Sequence, residues 1–360
     1  MNLSRLDEIL DQFPSKRVLV VGDLMLDEFI WGRVSRISPE APVPVVEVLR
    51  ESYYPGGAAN VARNVRECGT QAYVMGLIGD DIAGTKLRKI LEETGIRQET
   101  VQVAPTFQTI VKTRIIARQQ QVVRVDRERA WALSKEIEDV CIETIKQLLP
   151  QIDAIILEDY GKGFLQQSFI DKIAVLAAGK TVTADPNPRN QLQWRGITAV
   201  KPNRTEAFSA ANEPWKEPAE HPTKDQALLG IGVKLLKIWG PKQLLITLGD
   251  QGMMLFTPER SPYHIPSRAR EVYDLSGAGD TAIAFYTLAL LSGGWLAGGA
   301  LVVVERATRS GALEWPPGYL PGKSRRYGEA TFWYGWYGGG ADAGVAGHSQ
   351  EAAPRSALEE

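Results

Sequence analysis

RVLVVGDLMLD, Arg17 to Asp27, is a short and nearly continuous apolar run that stops at Gly22 and Asp23. A run apolar on both faces and ended by glycine and an acid predicts a buried parallel strand rather than a half-wet one. Similar runs recur at QAYVMGLIG, DAIILEDYG, TVTADPNP, ITAVKPN and QLLITLGDQG. Amphipathic stretches long enough for helices lie between several of them, from Gly84 to Thr94, Lys135 to Leu149, Gln167 to Ala178 and Asp225 to Trp239. Strands alternating with helices predict βαβ units, hence an α/β fold with a mostly parallel central sheet. In such folds ligands sit beyond the carboxyl ends of the strands. Asp23, Asp159, Asp185, Asn203 and Gly249, each just past an apolar run, are therefore expected along one edge.

Two segments break this rhythm. APVPVVEVLRESYY and TIVKTRIIARQQQVVRVDRE are rich in β-branched residues and partly alternate apolar with polar positions. That pattern fits antiparallel strands with one wet face, here a small inserted lid at about 40–54 and 108–127. Lys112, Arg114, Arg118 and Arg124 favour a lid over an anionic substrate, although a solvated face has the same composition. Surface hairpins are the competing reading, since Pro42 and Pro44 also suit an edge strand.

Composition narrows the partners. The chain has 360 residues, enough for one large α/β domain or two smaller ones. A formal net charge of −2 offers no electrostatic footprint for nucleic acid and no basic face for acidic membranes. Small-molecule partners are expected instead. Cys68 and Cys141 fall in no disulfide or zinc pattern. Met1 to Lys16 lacks the apolar core of a secretory signal, and no run approaches the ~18 apolar residues of a spanning helix, so the chain reads as cytoplasmic.

Three further stretches carry chemistry. In YDLSGAGDTAIAF, Tyr273 to Phe285, Gly277, Ala278 and Gly279 open an apolar helix-like segment and Asp280 follows. Free N–H groups and the helix dipole make such an end attractive to phosphate. An acid beside it repels phosphate unless it has a task, such as taking a proton from an attacking hydroxyl. A plain glycine turn with a first-turn acid is the alternative. YPGGAANVARNVRECG places Gly56, Gly57 and Asn60 at the start of a helix through Cys68, where backbone and amide can meet sugar hydroxyls or merely pack. KPNRTE spaces Asn203 and Glu206 three apart, suited to the water shell of Mg²⁺ or to helix capping.

Taken together, GGAANVARN and DLSGAGDTAIAF resemble the two signatures of the ribokinase-like (PfkB) carbohydrate kinase family. KPNRTE stands in the family's metal-site position and ITLGDQGM in its nucleotide-site position. The run GDLMLDEFIWGRVSRISPEAPVPVVEV, with TRIIARQQQVVRVD, LEDYGKG and EVYDLSGAGDT, is similar to the family's D-glycero-β-D-manno-heptose-7-phosphate kinase branch, over roughly Val18 to Leu291. The resemblance implies a three-layer sandwich with a small β-strand lid, and transfer of a phosphoryl group from ATP, with Mg²⁺, to the anomeric hydroxyl of a heptose 7-phosphate for lipopolysaccharide precursors. Asp280 would be the general base, and Gly277, Ala278 and Gly279 would offer N–H groups to the developing charge. Asp23, Gly56, Gly57 and Asn60 would bind the sugar, with Lys112 and Arg124 at its phosphate. Asn203 and Glu206 would organise Mg²⁺, while Thr247, Gly249 and Gly252 would border the nucleotide. A homodimer through the lid strands is also implied. The pattern departs at Leu275, where the family usually has a β-branched residue. Another sugar or sugar-phosphate kinase of the family, or a catalytically impaired sugar-binding relative, are the alternatives.

The resemblance implies a kinase domain over residues 1–294 and does not continue beyond it. From Glu305 to Glu360 only Leu313, Leu320, Val345 and Leu358 represent Ile, Leu, Val and Met. Residues 295–360 are therefore expected to be a poorly ordered tail. With permitted codons WPPGYLPGKSRR read one base later yields a Leu-Gly-Thr, so the tail is either out of frame or naturally divergent. No HxGH nucleotidyltransferase signature is present, the histidines being His221, His264 and His348.

Overall fold

A computed structural model describes residues 3–117, 120–129, 131–267, 277–293, 301–307, 319–327 and 330–337. Along the chain, α1 (Leu3–Gln12) is followed by β1 (Arg17–Gly22), β2 (Leu24–Ile37), β3 (Pro44–Gly57), α2 (Ala58–Glu67), β4 (Gln71–Met75), β5 (Leu77–Gly79), α3 (Ile82–Glu93), β6 (Gln102–Ala104), β7 (Ile110–Ala117) and β8 (Gln120–Arg127). Next come α4 (Lys135–Leu148), β9 (Ala154–Glu158), α5 (Gln167–Leu176), β10 (Thr181–Asp185), β11 (Ala199–Val200), α6 (Arg204–Ala210) and α7 (Gln226–Trp239). The order closes with β12 (Gln243–Thr247), β13 (Met253–Thr257), β14 (Arg260–Ile265), α8 (Ala278–Leu291), β15 (Leu301–Ala307), β16 (Tyr319–Tyr327) and β17 (Ala330–Tyr337). Asp7–Trp295 forms one compact unit, and Leu296–Glu360 with Met1–Leu6 forms another.

The central sheet has eight strands in the order β14-β13-β12-β11-β10-β9-β1-β4. From β4 to β12 the pairings are parallel, and β13 and β14 extend that edge antiparallel. In β1 every residue after Arg17 is buried, as expected of a strand covered on both faces. Leu19, Val21, Ile155 and Leu157 join one apolar cluster with Ile145, Phe169, Phe208 and Leu235 of α4, α5, α6 and α7. Helix α2 packs on α8, β1 and β9, and α8 packs on β9 and β10. On that side the Thr183 and Thr287 hydroxyls meet at 2.7 Å. The Asp7–Trp295 unit is thus an α/β three-layer sandwich. Helix starts follow local chemistry: Asp81, Ser134 and Asp225 each accept an N–H bond at the N-cap of α3, α4 and α7. Gly240 ends α7 in the left-handed conformation.

A separate four-stranded sheet, ordered β3-β2-β7-β8, forms the lid. It differs from the sequence expectation in two ways. Residues 24–37 contribute a lid strand of their own, β2. The central pair β2 and β7 is parallel, not antiparallel. The reason is topological: β7 returns only after α2, β4, α3 and β6, and a long crossover permits parallel pairing where a tight hairpin does not. The RISPEAPVPV run turns between β2 and β3, with the Ser38 N–H donating to the Val43 carbonyl at 2.8 Å. Arg118 and residues 273–276 lie outside the described residues.

In the other unit, β15, β17 and β16 form a three-stranded antiparallel sheet. Tyr319, Tyr327, Phe332, Trp333, Tyr334, Trp336 and Tyr337 fall in its strands. Aromatic residues favour strands as aliphatic ones do, a propensity that a count of Ile, Leu, Val and Met leaves out.

Candidate active site

The carboxyl ends of β1, β9, β10, β11 and β12 share one edge of the central sheet, because those strands are parallel. The lid leaves this edge at Leu24 and returns to it at Gly57. Gly57 has φ +58°, and a Cβ there would lie 2.4 Å from the Asp23 carbonyl, so the return into α2 requires glycine.

Asp280 sits in the first turn of α8, whose N-cap Gly277 has φ +85°. The helix is apolar nearly all round and buried from Ile283 to Leu288, which fixes its N-terminus under the sheet edge. Asn60 donates to Asp280 Oδ2 at 2.6 Å, and the Tyr160 hydroxyl donates to Oδ1 at 3.0 Å. Two residues more than a hundred positions away thus orient one carboxylate. Burial raises the Asp280 pKa above its ordinary value, against the pull of the Asn60 and Tyr160 bonds and of Lys201. Lys201 lies beneath Gly279, its Nζ 3.4 Å from where a Cβ would stand. It pairs with Asp185 at 2.7 Å. Burial disfavours the Lys201 ammonium, but the charges of Asp185, Glu158 and Glu206 outweigh it and raise its pKa. Burial also drives the Glu158 carboxyl well above its usual range, helped by the nearby Asp185 and Asp280 charges. The Glu158 Oε2 is buried without a hydrogen-bond partner.

Several residues expected from the sequence at the site stand elsewhere or do other work. The Asp23 carboxylate accepts N–H bonds from Tyr160, Lys162 and Phe164 at 3.0, 3.0 and 3.1 Å. It braces the loop that carries Tyr160. Asp27, four residues on, is the acid against Gly56: a Cβ there would stand 2.5 Å from Asp27 Oδ2. Asp27 also pairs with Arg114 at 2.5 Å and adds to the charge around Asp280. Arg124 lies on β8, which is exposed throughout, and pairs with Asp126 at 2.9 Å rather than facing the site unpaired. Lys112 holds its ammonium 5.5 Å from the centre of the Tyr160 ring.

Asn203 and Glu206 form a reciprocal capping box on α6. The Glu206 N–H donates to Asn203 Oδ1 at 2.9 Å and the Asn203 N–H to Glu206 Oε2 at 2.7 Å. One oxygen of Glu206 stays outside that box, and the residue is close enough to Asp185 to raise its pKa. No group of three or more His, Cys, Asp or Glu side chains that could hold a metal exists among the described residues. This donor set fits a hydrated Mg²⁺ held through water by one or two carboxylates, not a dehydrated ion. Asn203 also bridges to Thr247 at the end of β12, tying the capping box to the Gly249–Gly252 turn. Gly249 has φ +62° and nothing within 4 Å of a Cβ position, leaving an open backbone surface at this edge. That surface fits close approach of a nucleotide.

Sequence reasoning missed Asp27, Tyr160, Lys162 and Lys201 as site residues. The only local signals were a polar residue ending an apolar run, at Asp27 and Lys201, and the LEDYGKG stretch taken as a whole.

Residues 15–309 match the pfkB family of carbohydrate kinases. The bifunctional protein HldE of Desulfatibacillum aliphaticivorans is 41% identical over 283 residues, which is 78% of this chain and 56% of that protein. HldE of Trichlorobacter lovleyi is 38% identical over 295 residues, 81% of this chain and 59% of that protein. The chain therefore spans little more than half the length of these relatives. In fold it is similar to Arabidopsis thaliana ribokinase, solved with ribose and ATP, at a TM-score of 0.59 and 19% identity over 77% of this chain and 86% of that one. The sandwich, the glycine-opened helix with its buried acid, and the match over most of the chain agree: this protein belongs to the pfkB family of carbohydrate kinases.

Proposed function

We propose that this chain is an ATP-dependent kinase that phosphorylates the anomeric hydroxyl of D-glycero-β-D-manno-heptose 7-phosphate, giving the 1,7-bisphosphate for lipopolysaccharide core precursors. The observation that carries it is the Asn60–Asp280–Tyr160 arrangement at the N-terminus of α8, where a proton acceptor and free N–H groups converge. Support for the heptose comes from the RISPEAPVPV region and from the HldE relatives. In this reading bound ATP supplies the phosphoryl group, and hydrated Mg²⁺ beside Glu206 and Asn203 offsets its charge. Asp280 accepts the hydroxyl proton as the new O–P bond forms. Asn60 and Tyr160 keep its two oxygens aimed. The first-turn N–H groups of α8 and the fixed Lys201 ammonium face the charge that develops during transfer. Gly56, Gly57 and Asp27 border the sugar, and Thr247, Gly249 and Gly252 the nucleotide.

Residues 1–294 are read as the kinase body and 295–360 as an atypical C-terminal segment; the family match runs to residue 309. The reading places the protein in the cytoplasm, where ATP is available; among the described residues no helix is long and apolar enough to cross a membrane. Val48, Leu49, Val122, Val123 and Val125 are exposed on lid strands β3 and β8, which supports a homodimer through the lid. A coupled assay of ADP release across a sugar panel tests the substrate. Heptose 7-phosphate is expected to give the highest kcat/KM. Faster turnover of ribose or fructose phosphates would reassign the chain within the family, and binding without turnover of any sugar would make it an impaired sugar-binding relative.

A further inference from the structure

Lys86 stands on α3, outside the site described above, yet it touches the lid. Helix α3 is fixed to the body: Leu87 and Leu91 are fully buried, and its N-cap Asp81 also accepts the Thr109 N–H at 2.8 Å. From that helix the Lys86 ammonium lies 3.6 Å from the centre of the Tyr53 ring on β3. The Tyr53 hydroxyl donates to Glu51 Oε2 at 2.5 Å, which orients the ring. Lys86 and Tyr53 are both half-buried, so this cation–π contact is partly shielded from water. The lid sheet shares no strand with the central sheet, and α3 packs against its strands β2 and β3. Side-chain contacts of this kind therefore decide where the lid stands over the body.

The register shows what the contact holds. Tyr53 is the Cα partner of Glu28, while Asp27 is that of Tyr54 on β3 and of Lys112 on β7. Successive residues of a strand point to opposite faces, so Tyr53 and Glu28 stand on the outer face, one rung from Asp27. Asp27 itself faces Gly56 and adds to the charge around Asp280. On that inner face the Lys112 ammonium lies 5.5 Å from the ring of Tyr160, a body residue. The lid is thus clamped from both sides at one level: a lid lysine on a body tyrosine inside, and a body lysine on a lid tyrosine outside. We propose that Lys86, through Tyr53, is a positioning residue of the kinase site that holds Asp27 over the acceptor sugar. The inference rests on the sugar-kinase reading above and adds a residue that acts from outside the site. Loss of the outer contact leaves the inner one to resist tilting of the sheet, so the cost falls on sugar affinity rather than on Asp280, which α8 carries.

The test is steady-state kinetics together with hydrogen exchange on the full chain. Lys86→Met is expected to raise the KM for heptose 7-phosphate about 3- to 10-fold, the loss of one partly shielded cation–π contact, with the KM for ATP shifting less than about twofold. Lys86→Arg, which keeps a cation on the ring, and Tyr53→Phe, which keeps the ring, should each retain most of the sugar affinity. Tyr53→Leu should match Lys86→Met, and Lys86→Met/Tyr53→Leu should be no worse than either, as for two halves of one contact. Lys89→Met removes an exposed α3 cation paired with Glu93 and controls for net charge; the sugar KM should not move. Without any ligand, amides of β2 around Asp27 should exchange at least about threefold faster in Lys86→Met, while those of β1 keep the wild-type rate. An unchanged sugar KM in Lys86→Met, equal rises in both KM values, or additive losses in the double variant would overturn the proposal. If no sugar is turned over, the substrate reading fails by itself and exchange decides: equal exchange of β2 in Lys86→Met and wild type would reject the clamp.

Discussion

Asn60 and Tyr160 lower the Asp280 pKa by hydrogen-bonding its charged form, while burial raises it and wins. Removing one of those bonds should let burial act further. Asn60→Ala is therefore expected to move the acid limb of the kcat/KM profile to higher pH, because the base must lose its proton to work. A profile that keeps its acid limb while only kcat falls would show that Asn60 touches the sugar and not the base. Gly277, Asn60 and Asp280 were singled out in the sequence only through the two signature stretches taken together, since each stretch alone also fits a plain helix start. Tyr160 and Lys162 were not, since they reach the site through the loop that Asp23 braces, a tertiary fact. Asp23 and Asp27 could not be ranked without knowing where β1 ends and β2 begins.

Helix α6 begins with a capping box that uses the same two side chains proposed for the metal. Glu206→Gln separates the roles, since glutamine also serves at the third position of a capping box. Thermal stability should stay nearly unchanged while the Mg²⁺ concentration for half activity rises about tenfold, as for loss of an outer-sphere partner. An unchanged Mg²⁺ dependence would leave capping as the sole role of this pair. At the lid return, Gly57→Ala should destabilise the protein by roughly 1–3 kcal/mol in urea unfolding, from positive φ and the clash with the Asp23 carbonyl. No loss would mean that the β3–α2 junction relaxes freely. The buried strands were readable from apolar runs alone. The parallel β2–β7 pair was not, because strand direction depends on the crossover between them, which periodicity does not encode.

Across the whole molecule, burial pushes Asp159 from its ordinary 3.8 up to about 7. A carboxyl raised in the folded state binds more protons than in the unfolded chain, so its contribution is present at low pH and lost as pH climbs from about 4 to about 7. Asp159→Asn is expected to flatten that fall in unfolding free energy by on the order of 2–4 kcal/mol. Parallel stability profiles of mutant and wild type would refute it. The layered architecture and the sheet edge that carries the candidate site were visible in the sequence because strand ends and their polar residues repeat. The tail was less so, since strands built on aromatics and glycine leave little aliphatic signal. The account turns on Asp280 as the base of a phosphoryl transfer, and ³¹P NMR of ATP, Mg²⁺ and heptose 7-phosphate with wild type and Asp280→Asn tests it most directly. The wild-type protein should yield a new anomeric phosphate signal with ADP. Asp280→Asn should bind the sugar about as well yet form product at least ~100-fold more slowly. Product formation by Asp280→Asn at the wild-type rate would contradict the account.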